Sequence, residues 1–323
     1  MTARRRDGGL QFGLYIANAG PRANPRIIRA MAREAESRGF DGCWTNEHPM
    51  PARKVVGYEW PTKHHYIPHY DVDTTLAYIA GQTTRVRLGC SIHVLPYHSA
   101  IWLAKRLATL DQLSDGRAIL GVGVGWNRQE ARFLGFDDFE ERGKFADEAL
   151  EVIRALWTER YPSYQGRWHS FEPIDWRPKP LQKPHPPIWI GGESMPAIRR
   201  AARFGNGWLL SHMPLDWVRQ HLDILRDLMA KNGRDPAELR AVGCFYNVKL
   251  TRRGKRLTKV VDNRKSMAGN WMEGPTTAFV DDLARFRDAG LNYPILRIYA
   301  ESGDDLLEQI RIFDEEVRQV IAK

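Results

Sequence analysis

The sequence lacks any apolar run long enough to cross a membrane. A spanning helix needs about 20 consecutive apolar residues, and no stretch of this 323-residue chain approaches that length. No apolar segment of the signal-peptide kind follows the basic N-terminal residues 1–9. We therefore expect a protein without a membrane partner, located in the cytoplasm.

Cysteine is scarce, and the few cysteines show no metal or disulfide spacing. Cys43, Cys90 and Cys244 each lie within a predicted strand, and the chain contains neither a CxxC nor an HExxH motif. The histidines of residues 64–69 have irregular spacing. We therefore predict no disulfide and no metal site, and we interpret the cysteines as small buried apolar residues.

Acidic residues are too few to balance the basic ones, and the formal net charge is +9. Much of this excess lies in residues 249–265, which contain eight basic residues and one acidic residue. This segment is either a solvated flexible loop or a rim that attracts an anionic ligand. No aromatic platform or nucleic-acid-binding motif accompanies the charges, so we predict no nucleic-acid partner.

What the chain does contain is a repeated alternation of strand-like and amphipathic helical segments, which continues almost to its end. Alternating strands and helices form parallel strands with right-handed crossovers. Eight such units can close into a (β/α)8 barrel, the TIM-barrel fold, and we predict one such domain over residues 1–323. The predicted strands are residues 10–18, 40–47, 87–94, 118–126, 187–192, 207–211, 242–250 and 295–300.

Three long stretches interrupt this alternation and are predicted to be insertions. Residues 49–70 follow the second strand, residues 161–183 precede the fifth, and residues 252–274 follow the seventh. In such a barrel the active site is built from the loops that follow the strands. We therefore expect the first and third insertions to border the active site, and the second to be structural or a dimer contact.

Candidate chemical groups occur where predicted strands end. Glu47 and His48 end the second strand, where an imidazole can act as an acid or base, or can simply be a hydrogen-bonded rim residue. Glycine alternates at positions 121, 123 and 125 in the fourth strand. This spacing favours either close approach of backbone to a flat ligand or a crowded barrel interior. It is not the dinucleotide-binding fingerprint, because it lies within a strand.

A possible anion site follows the fifth strand. Gly191 and Gly192 precede Ser194, and Pro196 then lies in the first turn of a predicted helix. Backbone amides at such a helix N-terminus can bind a phosphate, with help from the serine hydroxyl. The alternative is a plain tight turn in which Ser194 only caps the helix.

Together these segments resemble the bacterial luciferase-like monooxygenase superfamily, and within it the oxidoreductases that use coenzyme F420, a deazaflavin. The resemblance covers residues 10–208 well and the remainder weakly. It is carried by an ordered set of motifs: ATLDQLSDGR at 108–117, LGVGVGW at 120–126, FEERG at 139–143, IWIGGES at 188–194 and AARFGNGW at 201–208.

The resemblance implies a flavin or deazaflavin bound at the carboxyl-terminal mouth of the barrel. His48 then lies near the reactive ring edge with Glu47 beside it, and both are predicted to be catalytic. Two positions depart from the family pattern, since Val72 replaces a proline and His93 replaces a commonly apolar residue. The implied cofactor contacts are Ser91 and Ile92, joined by a non-prolyl cis peptide behind the ring, Gly123 and Gly125 beside it, and Gly191, Gly192 and Ser194 at the phosphate.

Two activities fit this resemblance. The first is hydride transfer between coenzyme F420 and a small organic substrate, with His48 handling the accompanying proton. The second is an FMNH2-dependent two-component monooxygenase that uses O2, in which a separate reductase supplies the reduced cofactor. That chemistry needs a pocket shielded from water, and a lid of Trp44, Tyr58, Trp60 and Tyr66 could provide it. A non-catalytic flavin-binding barrel is a third possibility. Relatives commonly form homodimers.

Overall fold

A computed structural model describes residues 9–50, 68–211, 213–250 and 271–321. Most described strands are parallel and belong to one sheet. The strands are β1 (Gly13–Tyr15), β2 (Gly42–Thr45), β3 (Arg87–Cys90), β4 (His93–Val94), β5 (Ala118–Gly123), β6 (Tyr164–Gln165), β7 (Ser170–Phe171), β8 (Ile188–Gly191), β9 (Gly207–Leu210), β10 (Ala241–Leu250), β11 (Trp271–Gly274) and β12 (Tyr293–Ile298).

Eight of these strands close into a ring, which confirms the predicted (β/α)8 barrel. The ring order is β1, β2, β3, β5, β8, β9, β10 and β12, and β12 pairs with β1. Gly13 is the register partner of Gly42 on one side and of Ile295 on the other. Because all these strands are parallel, their carboxyl ends meet at one mouth of the barrel.

The predicted insertions differ in how much of them the structure describes. The insertion before β8 contains the antiparallel hairpin of β6 and β7, so it is not structureless. Strand β11 lies at the end of the insertion after β10 and pairs in parallel with the upper half of β10. Residues 51–67 and 251–270, which include Tyr58, Trp60 and Tyr66, lie outside the described residues.

Helices between the strands begin and end at recognisable capping residues. The side chain of Asn24 accepts a hydrogen bond from the amide of Ile27 at 3.0 Å, and Gly39 has a φ of 69° just beyond the helix end. These are the expected N-cap and C′ conformations. The helices are α1 (Pro25–Ser37), α2 (Val72–Ala80), α3 (Ala100–Leu113), α4 (Arg128–Phe133), α5 (Arg142–Thr158), α6 (Met195–Phe204), α7 (Leu215–Lys231), α8 (Thr276–Asp288), α9 (Gly303–Phe313) and α10 (Gln319–Ile321).

The lower barrel interior is filled by aromatic side chains. The rings of Trp44 and Trp189 lie 4.8 Å apart, and the indole of Trp44 donates to the hydroxyl of Tyr293 at 3.3 Å. A Cβ atom at Gly13 or Gly89 would approach the Trp44 ring within 2.6 Å, so both positions exclude larger residues. Trp44 is fully buried. The prediction that it contributes to a lid is therefore wrong, and this filled interior leaves only the mouth for a ligand.

The three cysteines lie in the buried core of the protein. All three cysteines are free and buried, and burial raises the pKa of each thiol. No cluster of three or more metal-ligating side chains occurs within the described parts of the chain. Among the described helices, none combines the length and apolar character needed to cross a membrane.

Candidate active site

A bulge interrupts the barrel wall between β3 and β4. Strand β3 ends at Cys90, β4 begins at His93, and the peptide bond between Ser91 and Ile92 is cis. The amide of Ser91 still donates to the carbonyl of Thr45 at 2.8 Å. The cis bond lies where the family resemblance places it, at the carboxyl-terminal end of the barrel.

Glycines on the neighbouring strands make room for this bulge. A Cβ atom at Gly121 would lie 2.0 Å from the carbonyl oxygen of Cys90, and one at Gly123 would lie 2.0 Å from Cδ1 of Ile92. A Cβ at Gly191 would lie 2.9 Å from Cγ2 of Ile92. The crowded-interior interpretation therefore explains the glycine alternation by the protein's own packing. Contact of these glycines with a ligand ring remains a prediction.

The imidazole of His48 is held at the mouth by a buried carboxylate. Nδ1 of His48 lies 2.8 Å from Oε2 of Glu130, whose side chain is fully buried, while 17% of the His48 side chain is exposed. A carboxylate can only accept hydrogen bonds, so Nδ1 carries a proton. Proton exchange with a ligand at Nε2 stays a prediction.

Glu130 holds more than the imidazole. Its other oxygen accepts the amide of Met50 at 3.1 Å, and the hydroxyl of Tyr97 donates to Oε2 at 3.3 Å. Burial, followed by the charge of Glu130, raises the pKa of Tyr97, which therefore stays a neutral donor. These bonds join the segment after β2 to helix α4.

The predicted partner of His48, Glu47, is directed elsewhere. Its carboxylate accepts the amide of Val94 at 2.7 Å and lies 2.8 Å from Nε2 of His98. Burial by itself raises the pKa of Glu47, but the hydrogen bond from His98, the charge of His93 and the hydrogen bond from the amide of Val94 outweigh it, and the pKa lies below its ordinary value. Glu47 is thus an ionised residue buried behind the bulge. This geometry does not support the catalytic role predicted for it.

Sequence reasoning missed several groups around His48. Glu130 ends the segment GWNRQE that follows β5, and Asn127 caps the helix that carries it. The sequence prediction named the glycines of this region but neither of these two residues. The rings of His69 and Trp126 lie 5.9 Å and 6.0 Å from the His48 ring. Burial lowers the pKa of His69, which favours its neutral form.

The turn after β8 has the form predicted for an anion site. Gly192 has a φ of 119°, a left-handed conformation that favours glycine. The Ser194 hydroxyl caps helix α6 by accepting the amide of Ala197 at 3.4 Å. The neighbouring carboxylate of Glu193 is bonded to the hydroxyl of Ser211 at 2.6 Å. The capping role of Ser194 is therefore observed, and phosphate binding stays a prediction.

A polar wall on β10 and β12 was not predicted. Phe245 belongs to the inner cluster of the barrel, so Asn247, two residues further on, also faces inward. Arg297 is the register partner of Asn247, and its guanidinium lies 4.7 Å from the centre of the Tyr15 ring. The side-chain oxygen of Asn247 is buried without a hydrogen-bond partner among the described residues. Such an acceptor is suited to a ligand that donates a hydrogen bond.

Sequence comparison gives matches across the barrel. The family model described as luciferase-like monooxygenase matches residues 10–251. An uncharacterized protein of Mycobacterium tuberculosis is 32% identical over 235 residues, which cover 70% of this chain and 80% of that protein. An F420-dependent glucose-6-phosphate dehydrogenase of Kineococcus radiotolerans is 29% identical, covering 67% and 61%. An FMNH(2)-dependent dimethylsulfone monooxygenase of Pseudomonas putida is 28% identical, covering 64% and 54%.

Solved structures show the same fold at lower identity. The monooxygenase RslO1 from Streptomyces bottropensis has a TM-score of 0.75 and 23% identity, and the match covers 96% of this chain and 99% of that chain. An F420-dependent secondary alcohol dehydrogenase has a TM-score of 0.76 and 17% identity, with 97% and 99% covered. With its family model matched over most of the barrel, the chain belongs to the luciferase-like monooxygenase family.

Proposed function

We propose that this protein is an oxidoreductase that binds coenzyme F420 in the barrel mouth and transfers a hydride between it and a small organic substrate. The observation that carries the proposal is the arrangement of the mouth. A cis bulge forms one wall, and the Glu130-anchored imidazole of His48 stands at the end of β2. A planar redox ring and a proton-handling group can face each other in such a mouth.

The residues present fit a ring with a phosphate-bearing side chain. We assign Ser91, Ile92, Gly123 and Gly125 to the ring and its chain, and Gly191, Gly192 and Ser194 to the phosphate. The orphaned acceptor of Asn247 suits the donor groups on the edge of such a ring. When bound, the deazaflavin would supply the hydride chemistry.

The protein's own task is then to hold substrate and move one proton. Nδ1 of His48 retains its proton and donates it in a hydrogen bond to Glu130. Nε2 therefore takes the proton of a substrate hydroxyl during oxidation or returns it during reduction. The positive charge formed on the ring is balanced by Glu130, 2.8 Å away. Glu130 is a positioning residue, since it acts through His48 and is fully buried.

Charge favours F420 over FMN. The net charge is +9, and residues 249–265 are strongly basic. Coenzyme F420 carries an acidic oligoglutamate tail beyond its phosphate, whereas FMN ends at the phosphate. An excess of positive charge attracts the more anionic ligand and speeds its association.

An FMNH2-dependent monooxygenase with a separate reductase is the second candidate. The observation in its favour is the similarity to the dimethylsulfone monooxygenase, whose identity of 28% nearly equals the 29% found for the F420-dependent relative. The same turn after β8 would hold either phosphate. Trp44 cannot belong to the lid predicted for this activity, because it is buried in the barrel.

Cofactor titration separates the two candidates. The purified protein is titrated with F420 and with FMN, each oxidised and reduced, while cofactor and tryptophan fluorescence are followed. We expect saturable F420 binding that weakens as salt is added, because exposed charges are screened. Tight FMN binding without any F420 binding would remove the first candidate in favour of the second.

We also propose a homodimer. Trp102 and Leu113 are 66% and 73% exposed and lie on the same side of α3, three turns apart, with Lys105, Arg106 and Thr109 between them. Exposed tryptophan and arginine side chains are enriched in protein contacts. A cytoplasmic location and a small-molecule substrate complete the proposal.

A further inference from the structure

His93, the residue that departs from the family pattern, is completely buried and bonded at both ring nitrogens. Nε2 lies 2.9 Å from Oδ1 of Asp73 and Nδ1 lies 3.2 Å from the carbonyl oxygen of Gly121. Both partners can only accept, so both nitrogens carry protons and the ring is an imidazolium. The charge of Asp73 outweighs the burial that lowers the pKa of His93, and the pKa is raised.

The ion pair continues into a chain of side chains. The second oxygen of Asp73 lies 2.7 Å from Nε of Arg106 on α3. Nη2 of Arg106 lies 2.8 Å from Nδ1 of His98. A guanidinium only donates, so Nδ1 of His98 is an acceptor and its Nε2 carries the proton that is donated to Glu47.

This chain of hydrogen bonds closes on itself. It leaves β4 at the ring of His93, passes through α2 and α3, and returns through the carboxylate of Glu47 to the amide of Val94 at 2.7 Å. Two cations, two anions and one neutral imidazole make its formal charge zero. Both cations bond to Asp73, and the buried carboxylate of Glu47 accepts from His98 and from the amide of Val94, so each buried charge is hydrogen-bonded, the condition under which buried ions are tolerated.

The circuit lies where few backbone hydrogen bonds join the strands. Strand β4 has two residues and pairs with β5. On the other side, the ladder between β2 and β3 ends at Thr45 and Cys90. The carboxylate of Glu47 takes the place of the missing carbonyl for the amide of Val94. Ile92, which lines the mouth, directly precedes this strand.

We propose that this five-residue circuit of His93, Asp73, Arg106, His98 and Glu47 is the device that positions the cis bulge, with His93 as its central member. It fixes the two residues after the bulge to β2, α2 and α3 at once, and so fixes the wall formed by Ile92. The claim that this wall receives a cofactor ring rests on the proposed function. The claim that the circuit holds the bulge is independent of the proposed function.

Variants of His93 test the circuit with a matched control. His93→Leu removes both donors, and His93→Gln keeps an amide donor for Asp73. His169→Gln is the control, because His169 and Glu148 form a comparably buried pair at 2.9 Å within the insertion before β8. If His93→Leu does not fold, His93→Gln and Asp73→Asn decide the question by the same measurements.

The first measurement needs no cofactor. Hydrogen–deuterium exchange of the peptide that contains residues 91–95 is compared between variants, with unfolding temperature recorded in parallel. We expect roughly tenfold faster exchange in His93→Leu, a smaller increase in His93→Gln and none in His169→Gln. Unchanged exchange in the 91–95 peptide of His93→Leu overturns the inference.

The second measurement uses whichever of F420 and FMN the wild type binds. We expect His93→Leu to weaken that affinity about tenfold and His169→Gln to leave it unchanged. Equal weakening in the two variants would mean a general loss of stability and would overturn the inference. A wild type that binds neither cofactor would remove the proposed function, while the exchange result would still judge the circuit.

Discussion

At the scale of single residues, the proposed site depends on one imidazole and the carboxylate that anchors it. His48 has a partly exposed side chain, and Glu130 is fully buried. This division suits an imidazole that reaches a ligand and a carboxylate that does not touch the ligand itself. It also separates residues that touch the reacting groups from those that act through them.

Removing the imidazole should slow turnover strongly and leave cofactor binding nearly unchanged. We expect His48→Ala to lower kcat by about 10²–10⁴, the usual contribution of a general acid or base, while cofactor affinity stays within about twofold. Steady-state kinetics and fluorescence titration measure the two quantities. Unchanged turnover would take His48 out of its assigned role, and an inactive wild type that binds flavin would support a non-catalytic barrel.

Replacing the anchoring carboxylate should slow turnover without weakening cofactor binding. Glu130→Gln keeps one oxygen acceptor for the amide of Met50 but removes the charge that balances a protonated His48. Without that charge the imidazolium formed in turnover is less stable, so kcat should drop about tenfold while cofactor affinity stays within about twofold. An unchanged kcat in steady-state kinetics would contradict a positioning role.

At the scale of elements, the bulge between β3 and β4 and the glycines of β5 form one packing unit. Gly121 faces backbone, the carbonyl of Cys90, whereas Gly123 faces the side chain of Ile92. A side chain can shift and a backbone carbonyl at the barrel wall cannot. The two glycines should therefore differ in their tolerance of a methyl group.

This difference can be measured by substitution. We expect Gly123→Ala to lower the free energy of unfolding by about 1–3 kcal/mol, and Gly121→Ala to lower it more. Ile92→Val removes Cδ1, the atom that a Cβ at position 123 would meet, so Gly123→Ala should cost less in that background. Denaturant unfolding of the single and double variants gives the coupling. Additive effects would refute the packing unit. Gly81→Ala is the control, because a Cβ there would meet its nearest atoms at 3.8 Å and 3.9 Å, an ordinary contact distance.

The buried pair of β4 and α2 predicts a pH dependence of stability. The pKa of His93 is raised above its ordinary value of 6.5, so its contribution is complete below that value and is lost as pH rises through the raised pKa. The pKa of Asp73 is lowered from 3.8 to about 2, so its contribution is lost only in strong acid. The groups that face this pair from neighbouring elements are Arg106, His98 and Glu47.

The measurement compares wild type with His93→Gln. Chemical unfolding at a series of pH values from about 5 to about 9 gives the stability advantage of the wild type at each pH. We expect this advantage to be largest in the acidic part of the series and to shrink as pH rises. An advantage that grows with pH would show that His93 is neutral in the folded protein.

At the scale of the whole molecule, the barrel places the proposed site at one end and exposes two large apolar side chains, Trp102 and Leu113, on the outer side of α3. The lower barrel interior is filled by Trp44, Trp189 and Tyr293, so the proposed ligand site is at the mouth of the barrel. The exposed face of α3 lies outside the barrel and has no partner in a single described chain. A second copy is the occupant that we propose for it.

A charge on this face should prevent the association. We expect Trp102→Lys to shift the mass measured by light scattering after size-exclusion chromatography from dimer to monomer, because a lysine at the centre of an apolar contact is costly. Phe133→Lys is the control, since Phe133 is 50% exposed on α4. A wild type that is monomeric at all concentrations would refute the proposed dimer.

The sequence by itself determined the barrel, since strand-forming runs and amphipathic stretches alternate with caps such as Asn24 and Gly39, and these are local properties. The resemblance also located His48, the cis bond after Ser91 and the turn at Gly192. Tertiary structure decided which groups meet. Glu130 reaches His48 from 82 positions away, Glu47 turns behind the bulge, and His93 pairs with Asp73, 20 positions away. Closure of the barrel brings these residues together, and no local pattern records that contact.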